Sequence, residues 1–160
     1  MKNNLIVYMS HHGTTRKVAK QIQEKLGFSD SVLIDLSKDQ IPNLNDFNTI
    51  IVGGSIYMGT MQNKIKEFCI KNQEILLKKR LGFFMCSMNK ELKQKSFDES
   101  FPEKLRTVAI ANGLLGGEII IKNLGFIEKI IVRMVSGVKE DQSTLDQNAI
   151  DQFIKSIKDA

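Results

Sequence analysis

Apolar runs alternate with helical patterns along the chain. Four runs rich in β-branched and aromatic residues are typical of strands buried on both faces. They are Asn4–Met9, Ser31–Leu36, Thr49–Val52 and Leu81–Cys86. After the first run, Val18, Ala19, Ile22 and Leu26 recur at three- and four-residue spacing, and Gly27 follows as a stop signal. This spacing predicts an amphipathic helix between the first two strands.

The rest of the chain continues the alternation. Helical patterns cover residues 65–76, 99–111 and 145–157, and Ile119–Ile121 is a fifth strand candidate. Five strands alternating with helices predict an α/β fold with right-handed crossovers, in which a parallel sheet is covered by helices on both faces. A chain of 160 residues predicts a single domain spanning residues 1–160. Ligands of such folds bind at the carboxyl ends of the strands, here the loops after the first, third and fourth.

Composition and charge narrow the classes of function. The net charge of +5 and the pI of 9.2 favour anionic partners. Lys and Arg are not interleaved with aromatic residues, so nucleic-acid binding is not predicted. Cys69 and Cys86 lack the spacing of a zinc or dithiol motif, which favours a reducing compartment. The apolar run at the N-terminus is too short for a signal peptide, and we predict a cytoplasmic protein.

The loop after the first strand has the composition of an anion site. Ser10, Gly13, Thr14 and Thr15 stand between the strand and the helix. Peptide N–H groups at a helix N-terminus are unpaired and carry the positive end of the helix dipole, so the loop is expected to bind phosphate. The chain has neither a G-x-x-x-x-G-K-[ST] nor a G-x-G-x-x-G motif, which favours a monophosphate. The alternative is that these residues only cap the helix and form its turn.

His11 and His12 are adjacent in this loop. The surrounding sequence offers no third or fourth ligand at a suitable spacing, so no metal site is predicted. The two side chains either face solvent or, when one is protonated, add positive charge near the phosphate.

The segment from Ile6 to Ile22 resembles the FMN-phosphate signature of flavodoxins. The matching positions are the apolar and aromatic end of the strand, followed by Ser10, Gly13, Thr15, Ala19 and Ile22. The resemblance implies a flavodoxin-like three-layer domain with five parallel strands in the order 2-1-3-4-5. It also implies FMN as the cofactor and electron transfer with a redox partner protein or a quinone.

The same resemblance implies two loops around the flavin ring. One comprises Ser55, Ile56, Tyr57, Met58 and Gly59, with Tyr57 packed on the ring and Gly59 free to adopt a positive φ. The other comprises Ser87, Met88 and Asn89, whose backbone and amide would bind the pyrimidine edge. A second aromatic residue is missing from this loop, so either Met88 covers that face of the ring or the face is open to a substrate.

Two further functions stay open at this stage. The 55–59 loop and residues 131–137 look similar to the FMN-dependent, quinone-linked protoporphyrinogen oxidase branch. That branch implies dehydrogenation of protoporphyrinogen IX in heme biosynthesis, at the inner face of the membrane. The third possibility is a flavin-binding module without turnover. The sequence assigns no catalytic residue in any of the three.

A helical apolar face in the last third of the chain has two interpretations. Its members are Leu124, Ile127, Ile130, Ile131, Met134 and Val135. Lysine and arginine residues surround this face, which favours peripheral contact with an anionic membrane. The same pattern is also typical of a helix that packs on the sheet.

Overall fold

The computed structural model describes residues 3–57 and 59–160, and a sheet lies at its centre. Five parallel strands stand in the spatial order β2-β1-β3-β5-β6, and β4 pairs antiparallel with the end of β3. The strands are β1 (Asn4–Tyr8), β2 (Ser31–Asp35), β3 (Thr49–Tyr57), β4 (Thr60–Met61), β5 (Arg80–Cys86) and β6 (Ala111–Leu114). This order confirms the predicted 2-1-3-4-5 fold class.

Helices cover both faces of the sheet. They are α1 (Thr14–Leu26), α2 (Asn63–Lys71), α3 (Gln73–Leu76), α4 (Lys93–Ser100), α5 (Glu103–Val108), α6 (Phe126–Ser136) and α7 (Gln147–Asp159). Side chains of β1 alternate between two cores: Leu5 and Val7 pack with α2 to α5, whereas Ile6 and Tyr8 pack with α1 and α7. The alternation follows from the two-residue period of a strand.

The fifth strand of the sheet is not where the sequence pattern placed it. The predicted strand Ile119–Ile121 is wrong, because the sheet edge is Ala111–Leu114 and Ile119 belongs to a small antiparallel pair. This pair joins β7 (Glu118–Ile119) to β8 (Gln142–Ser143). Asn112 and Gly113 are weak strand formers, which hid the true strand. A Cβ at Gly113 would lie 2.9 Å from the Phe153 side chain, so close packing of α7 explains the glycine.

The helix expected over residues 99–111 is also corrected. The chain turns at Phe101 and Pro102, which separates α4 from α5, and α5 ends at Val108. Proline is unfavourable inside a helix and is tolerated at its start, where Pro102 stands. Ala111 then enters the sheet as the first residue of β6.

Residues 116–146, which we call the α6 segment, leave the edge of the sheet and return to it. The segment runs through β7, a 3-10 turn at Ile121–Asn123, α6 and β8. None of the eleven residues of α6 is buried, and Phe126, Met134 and Val135 are each 81% exposed. The interpretation that this helix packs on the sheet is therefore wrong. Within the described residues, we find no helix long and apolar enough to cross a membrane.

Candidate cofactor site

The loop between β1 and α1 is held in a compact turn at the start of the helix. The Gly13 N–H donates to the Ser10 hydroxyl oxygen at 3.0 Å, and Gly13 is the N-cap of α1. Asn123, from the α6 segment, donates its side-chain amide to the His12 carbonyl oxygen at 3.2 Å. These bonds fix the loop while the first peptide N–H groups of α1 keep the character of an anion site.

Thr15 supplies a buried hydroxyl that lacks a strong hydrogen-bond partner among the described residues. Its residue exposure is 1%, and its oxygen has no hydrogen-bond partner within residues 3–57 and 59–160. The Cys86 thiol beside it is a weak partner at best. A buried hydroxyl left unsatisfied costs about 1–3 kcal/mol. An anion bound at the start of α1 would satisfy this hydroxyl.

The two basic residues that follow the loop are already paired. The Arg16 guanidinium donates to Asp35 at 3.2 Å, and the Lys17 ammonium donates to Glu118 at 2.8 Å. Burial alone would raise the pKa of the Asp35 carboxyl, but hydrogen bonds from Ser37 and Arg16 outweigh burial and hold that pKa below its usual value. The attraction for an anion therefore comes mainly from peptide N–H groups, hydroxyls and the helix dipole.

The three predicted loops line one cavity of about 60 Å³. It is lined by residues 10–12, 14 and 15 from the first loop, residues 55–57 from the second, and residues 87 and 88 from the third. Gln62 orders the second loop, because it accepts the Ser55 N–H at 3.0 Å and donates to the Ser55 hydroxyl at 2.7 Å. Sequence reasoning missed Gly117 and Glu118, which complete the lining from the α6 segment.

The remaining predicted residues lie beside this cavity. Gly59, which has a φ of +82°, and Asn89 line a neighbouring cleft that also contacts Met88. The Asn89 side-chain oxygen accepts the N–H groups of Glu91 and Leu92 at 3.0 Å. The side-chain oxygen is therefore engaged within its own loop, and the amide nitrogen is the side-chain group that could donate to a ligand. Met58 lies outside the described residues.

The α6 segment places a carboxylate over the first two loops. Glu128 accepts hydrogen bonds from the Tyr57 hydroxyl at 3.2 Å and from the His11 imidazole at 3.3 Å. The Gly125 N–H donates to its other oxygen at 2.8 Å, and this bond is the main reason that the pKa of Glu128 is lowered. Burial lowers the pKa of His12, and burial with the Glu128 carboxylate raises the pKa of Tyr57.

An apolar pocket of about 270 Å³ lies beneath α6 and adjoins the loop cavity. Its walls are formed on one side by Ile131, Val132 and Val135 of α6 and on the other by Tyr57 and Met88. The apolar pattern of α6 is visible in the sequence, but the sequence did not predict that part of this apolar face lines a pocket beside the loop cavity. An aliphatic part of α6 thus lies across the pocket from Tyr57 of the second loop and from Met88 of the third loop, which is the loop that lacks a second aromatic residue.

Neither cysteine is available as a nucleophile. Cys69 and Cys86 are free thiols in the core, and burial raises the pKa of each to about 12. The thiolate is the reactive form, so both thiols are inert near neutral pH. The site therefore offers no cysteine nucleophile near neutral pH.

Comparison with known proteins places this arrangement in a family. The family profile described as a flavodoxin domain matches residues 5–146. No curated protein matches the sequence. The fold is similar to that of a flavoprotein in complex with FMN from Lactobacillus acidophilus, with 20% identity, a TM-score of 0.53, and coverage of 70% of this chain and 92% of that one.

Two further solved structures share the fold over nearly the whole chain. Oxidised Flavodoxin 2 from Bacillus cereus is 18% identical, with a TM-score of 0.57 and 98% coverage of both chains. An NADH:FMN oxidoreductase in its apo form is 12% identical, with a TM-score of 0.58 and coverage of 99% of this chain and 88% of that one. With its strand order, its phosphate-type loop and the family match, this chain belongs to the flavodoxin domain family.

Proposed function

We propose that this protein binds FMN and transfers electrons between redox partners. FMN is the cofactor that the flavodoxin family implies, and membership of that family is shown by the match over residues 5–146. The observation that carries the assignment is the unsatisfied, buried Thr15 hydroxyl at the start of α1. It lies beside a cavity bordered by the three loops that the signature assigns to FMN.

The residues present fit this cofactor. The hydroxyls of Ser10, Thr14 and Thr15, with the first peptide N–H groups of α1, would hold the phosphate. Tyr57 and Met88 border both the loop cavity and the apolar pocket, so they are the residues that would contact the ring. When bound, FMN supplies the redox chemistry, and the protein supplies binding, orientation and electrostatics.

The α6 helix has a specific part in this proposal. Ile131, Val132 and Val135 face the apolar pocket, and Glu128 anchors the helix to Tyr57. None of the α6 residues is buried, and Val135 is 81% exposed, so this helix would cover a bound ring in part and leave its edge in contact with solvent. In this proposal α6 takes the place of the second aromatic residue that the sequence lacks. Met88 would then cover only part of that face of the flavin ring, and α6 would cover another part.

The charge of the protein bears on the partner. The net charge is +5, so we propose that the redox partner presents an acidic surface. Complementary charges mainly raise the rate of encounter, and salt screens them over about 8–10 Å. Electron delivery to such a partner should therefore slow as the salt concentration rises.

One observation favours a second function, a quinone-linked dehydrogenase such as one acting on protoporphyrinogen IX. The pocket beneath α6 is lined mainly by apolar side chains and would accept the apolar part of a substrate. The outward side of α6 exposes Phe126, Ile127 and Met134, and Lys129 and Arg133 lie on the same helix. Exposed apolar side chains beside cations favour peripheral contact with an anionic membrane, where quinones are dissolved.

Stepwise anaerobic reduction of the FMN-loaded protein separates these functions. An electron carrier is expected to take up electrons in two resolved one-electron steps and to pass them to a one-electron acceptor faster than free FMN does. A dehydrogenase would reduce in one two-electron step and would turn over protoporphyrinogen IX only with a quinone, faster with anionic vesicles present. Reduced protein that neither acceptor oxidises faster than free FMN would leave only a flavin-binding module and would contradict the proposal.

A further inference from the structure

The α6 segment brings a carboxylate against two adjacent histidines. The Glu128 Oε1 atom lies 3.3 Å from His11 Nε2 and 3.5 Å from His12 Nε2. All three side chains thus direct a metal-ligating atom toward one point, and these atoms lie within 4.8 Å of one another. We infer that His11, His12 and Glu128 form a binding site for a divalent transition metal ion, with zinc as the best match.

Both histidine-to-carboxylate distances fall in the range expected for two ligands of one small ion. Zinc binds imidazole nitrogen at about 2.0–2.1 Å and carboxylate oxygen at about 2.0–2.2 Å. In a tetrahedral site, such bond lengths separate neighbouring ligand atoms by about 3.3–3.5 Å. The histidine-to-carboxylate distances of 3.3 and 3.5 Å match this edge length at both histidines.

Hydrogen bonding alone does not account for the cluster. His12 Nε2 is buried and has no hydrogen-bond partner in the described part of the chain, although it faces the Glu128 carboxylate. The same oxygen already accepts from the Tyr57 hydroxyl and the His11 imidazole. A metal ion between the three groups would satisfy His12 and would relieve the crowding at this single oxygen.

The groups around the cluster hold its ligands in place. The Gly125 N–H fixes the second oxygen of Glu128 at 2.8 Å, and Asn123 fixes the backbone of His12 at 3.2 Å. Supporting hydrogen bonds of this kind orient metal ligands and contribute to affinity. Both supporting groups come from the α6 segment, so the segment presents one ligand and also positions another.

The donor set favours zinc and leaves one coordination position open. Two imidazoles and one carboxylate suit zinc and related borderline ions rather than calcium or magnesium. Three protein ligands are typical of zinc sites that bind water or another ligand in the fourth position. Since His12, Tyr57 and Glu128 also line the apolar pocket, this position lies at the pocket wall. The ion would link the α6 segment to the phosphate-type loop, 117 residues away in sequence.

The test is a zinc titration of the full-length protein after removal of metal with a chelator, with and without FMN. We expect one zinc ion per chain by calorimetry, and the absorption bands of tetrahedral cobalt when Co²⁺ replaces Zn²⁺. Glu128→Gln is expected to weaken zinc binding at least about tenfold, because losing a ligand costs at least as much as losing a supporting hydrogen bond. Glu140→Gln, at an exposed acid of the same segment, should bind zinc like the wild type.

His11→Gln provides a second variant, because His11 is exposed and can change without loss of the fold. It should also lose the cobalt bands, and its circular dichroism should match that of the wild type. Zinc bound equally by the wild type, Glu128→Gln and His11→Gln would overturn the inference, as would a wild type that binds no zinc. The site requires no flavin, so normal FMN binding without zinc binding would refute the metal site and leave the proposed function standing.

Discussion

Changing Ser10 to Ala together with Thr15 to Val is expected to weaken FMN binding at least about a hundredfold. Hydrogen bonds to a charged group contribute about 1.5–3 kcal/mol each, and two such bonds to the phosphate would be lost. The Gly13 N–H donates to the Ser10 hydroxyl oxygen, and this hydrogen bond orders the loop. Ser10→Ala would remove it as well. The measurement is the dissociation constant of FMN, followed through the quenching of flavin fluorescence on binding.

Thr15→Val alone is expected to have opposite effects on two quantities: it should weaken FMN binding but stabilise the FMN-free protein. In the FMN-free protein, valine removes a buried hydroxyl that has no partner among the described residues, so the free energy of unfolding should rise by about 1 kcal/mol. Urea unfolding measures this change. Thr107→Val, at an exposed position on α5, is the control: it should leave FMN affinity unchanged and should not raise stability, because the Thr107 hydroxyl donates to the Lys104 carbonyl oxygen at 3.2 Å. An unchanged FMN affinity in the folded double variant would refute the phosphate site.

Gly116→Ala should destabilise the protein by about 3 kcal/mol or more, a large part of a typical folding free energy of 5–15 kcal/mol. Gly116 has a φ of +79°, and a Cβ built on it would lie 1.9 Å from the Thr144 carbonyl oxygen. Backbone atoms of the returning strand cannot move aside as a flexible side chain can. The Gly116 carbonyl also accepts the Ser87 N–H at 2.9 Å, so a shift would displace the third loop and weaken FMN binding.

Gly137→Ala is the matched control for this steric argument. Gly137 also has a positive φ, +67°, but apart from its chain neighbours no atom of the described residues lies within 4 Å of a Cβ built there. Only the backbone penalty applies, so its cost should be about 1 kcal/mol, and FMN affinity should not change. Denaturant unfolding of both variants gives the comparison. Equal stability of the two variants would show that the contact between Gly116 and Thr144 does not hold the base of the α6 segment.

The parts of the fold that the sequence predicted are those with strong local signals. Strands β1, β3 and β5 are buried over most of their length and therefore have continuous apolar sequences, and the half-buried edge strand β2 has a similar apolar run. The helix α1 has a regular apolar spacing and ends before Gly27, as predicted. The phosphate-type loop could be located for the same reason, since its residues are consecutive and follow a strand.

The parts that could not be predicted depend on contacts distant in sequence. Strand β6 contains Asn112 and Gly113, and its place is decided by pairing with β5 and by packing of α7. The apolar pattern of α6 fitted either a core helix or a surface helix, and only the fold shows that it covers the second loop. Residue periodicity reports which face is apolar, and it does not report what that face contacts.

The histidine pair illustrates the same limit at the site. The sequence predicts no metal site, because no third ligand stands near His11 and His12. The third ligand comes from Glu128, which the fold delivers from the α6 segment. The spacing of ligands in a sequence reveals sites that lie within one motif. This cluster instead forms only when the α6 segment folds onto the loop between β1 and α1.

Phosphate binding at the start of α1 is tested most directly by comparing FMN with riboflavin, which has the same ring system and no phosphate. The FMN-free protein is titrated with each flavin while its fluorescence is recorded. Anion binding at the start of α1 predicts that FMN binds at least about a hundredfold more tightly than riboflavin, since its phosphate adds about 3 kcal/mol or more of hydrogen bonding. Equal dissociation constants for the two flavins, or binding of neither, would contradict the central claim.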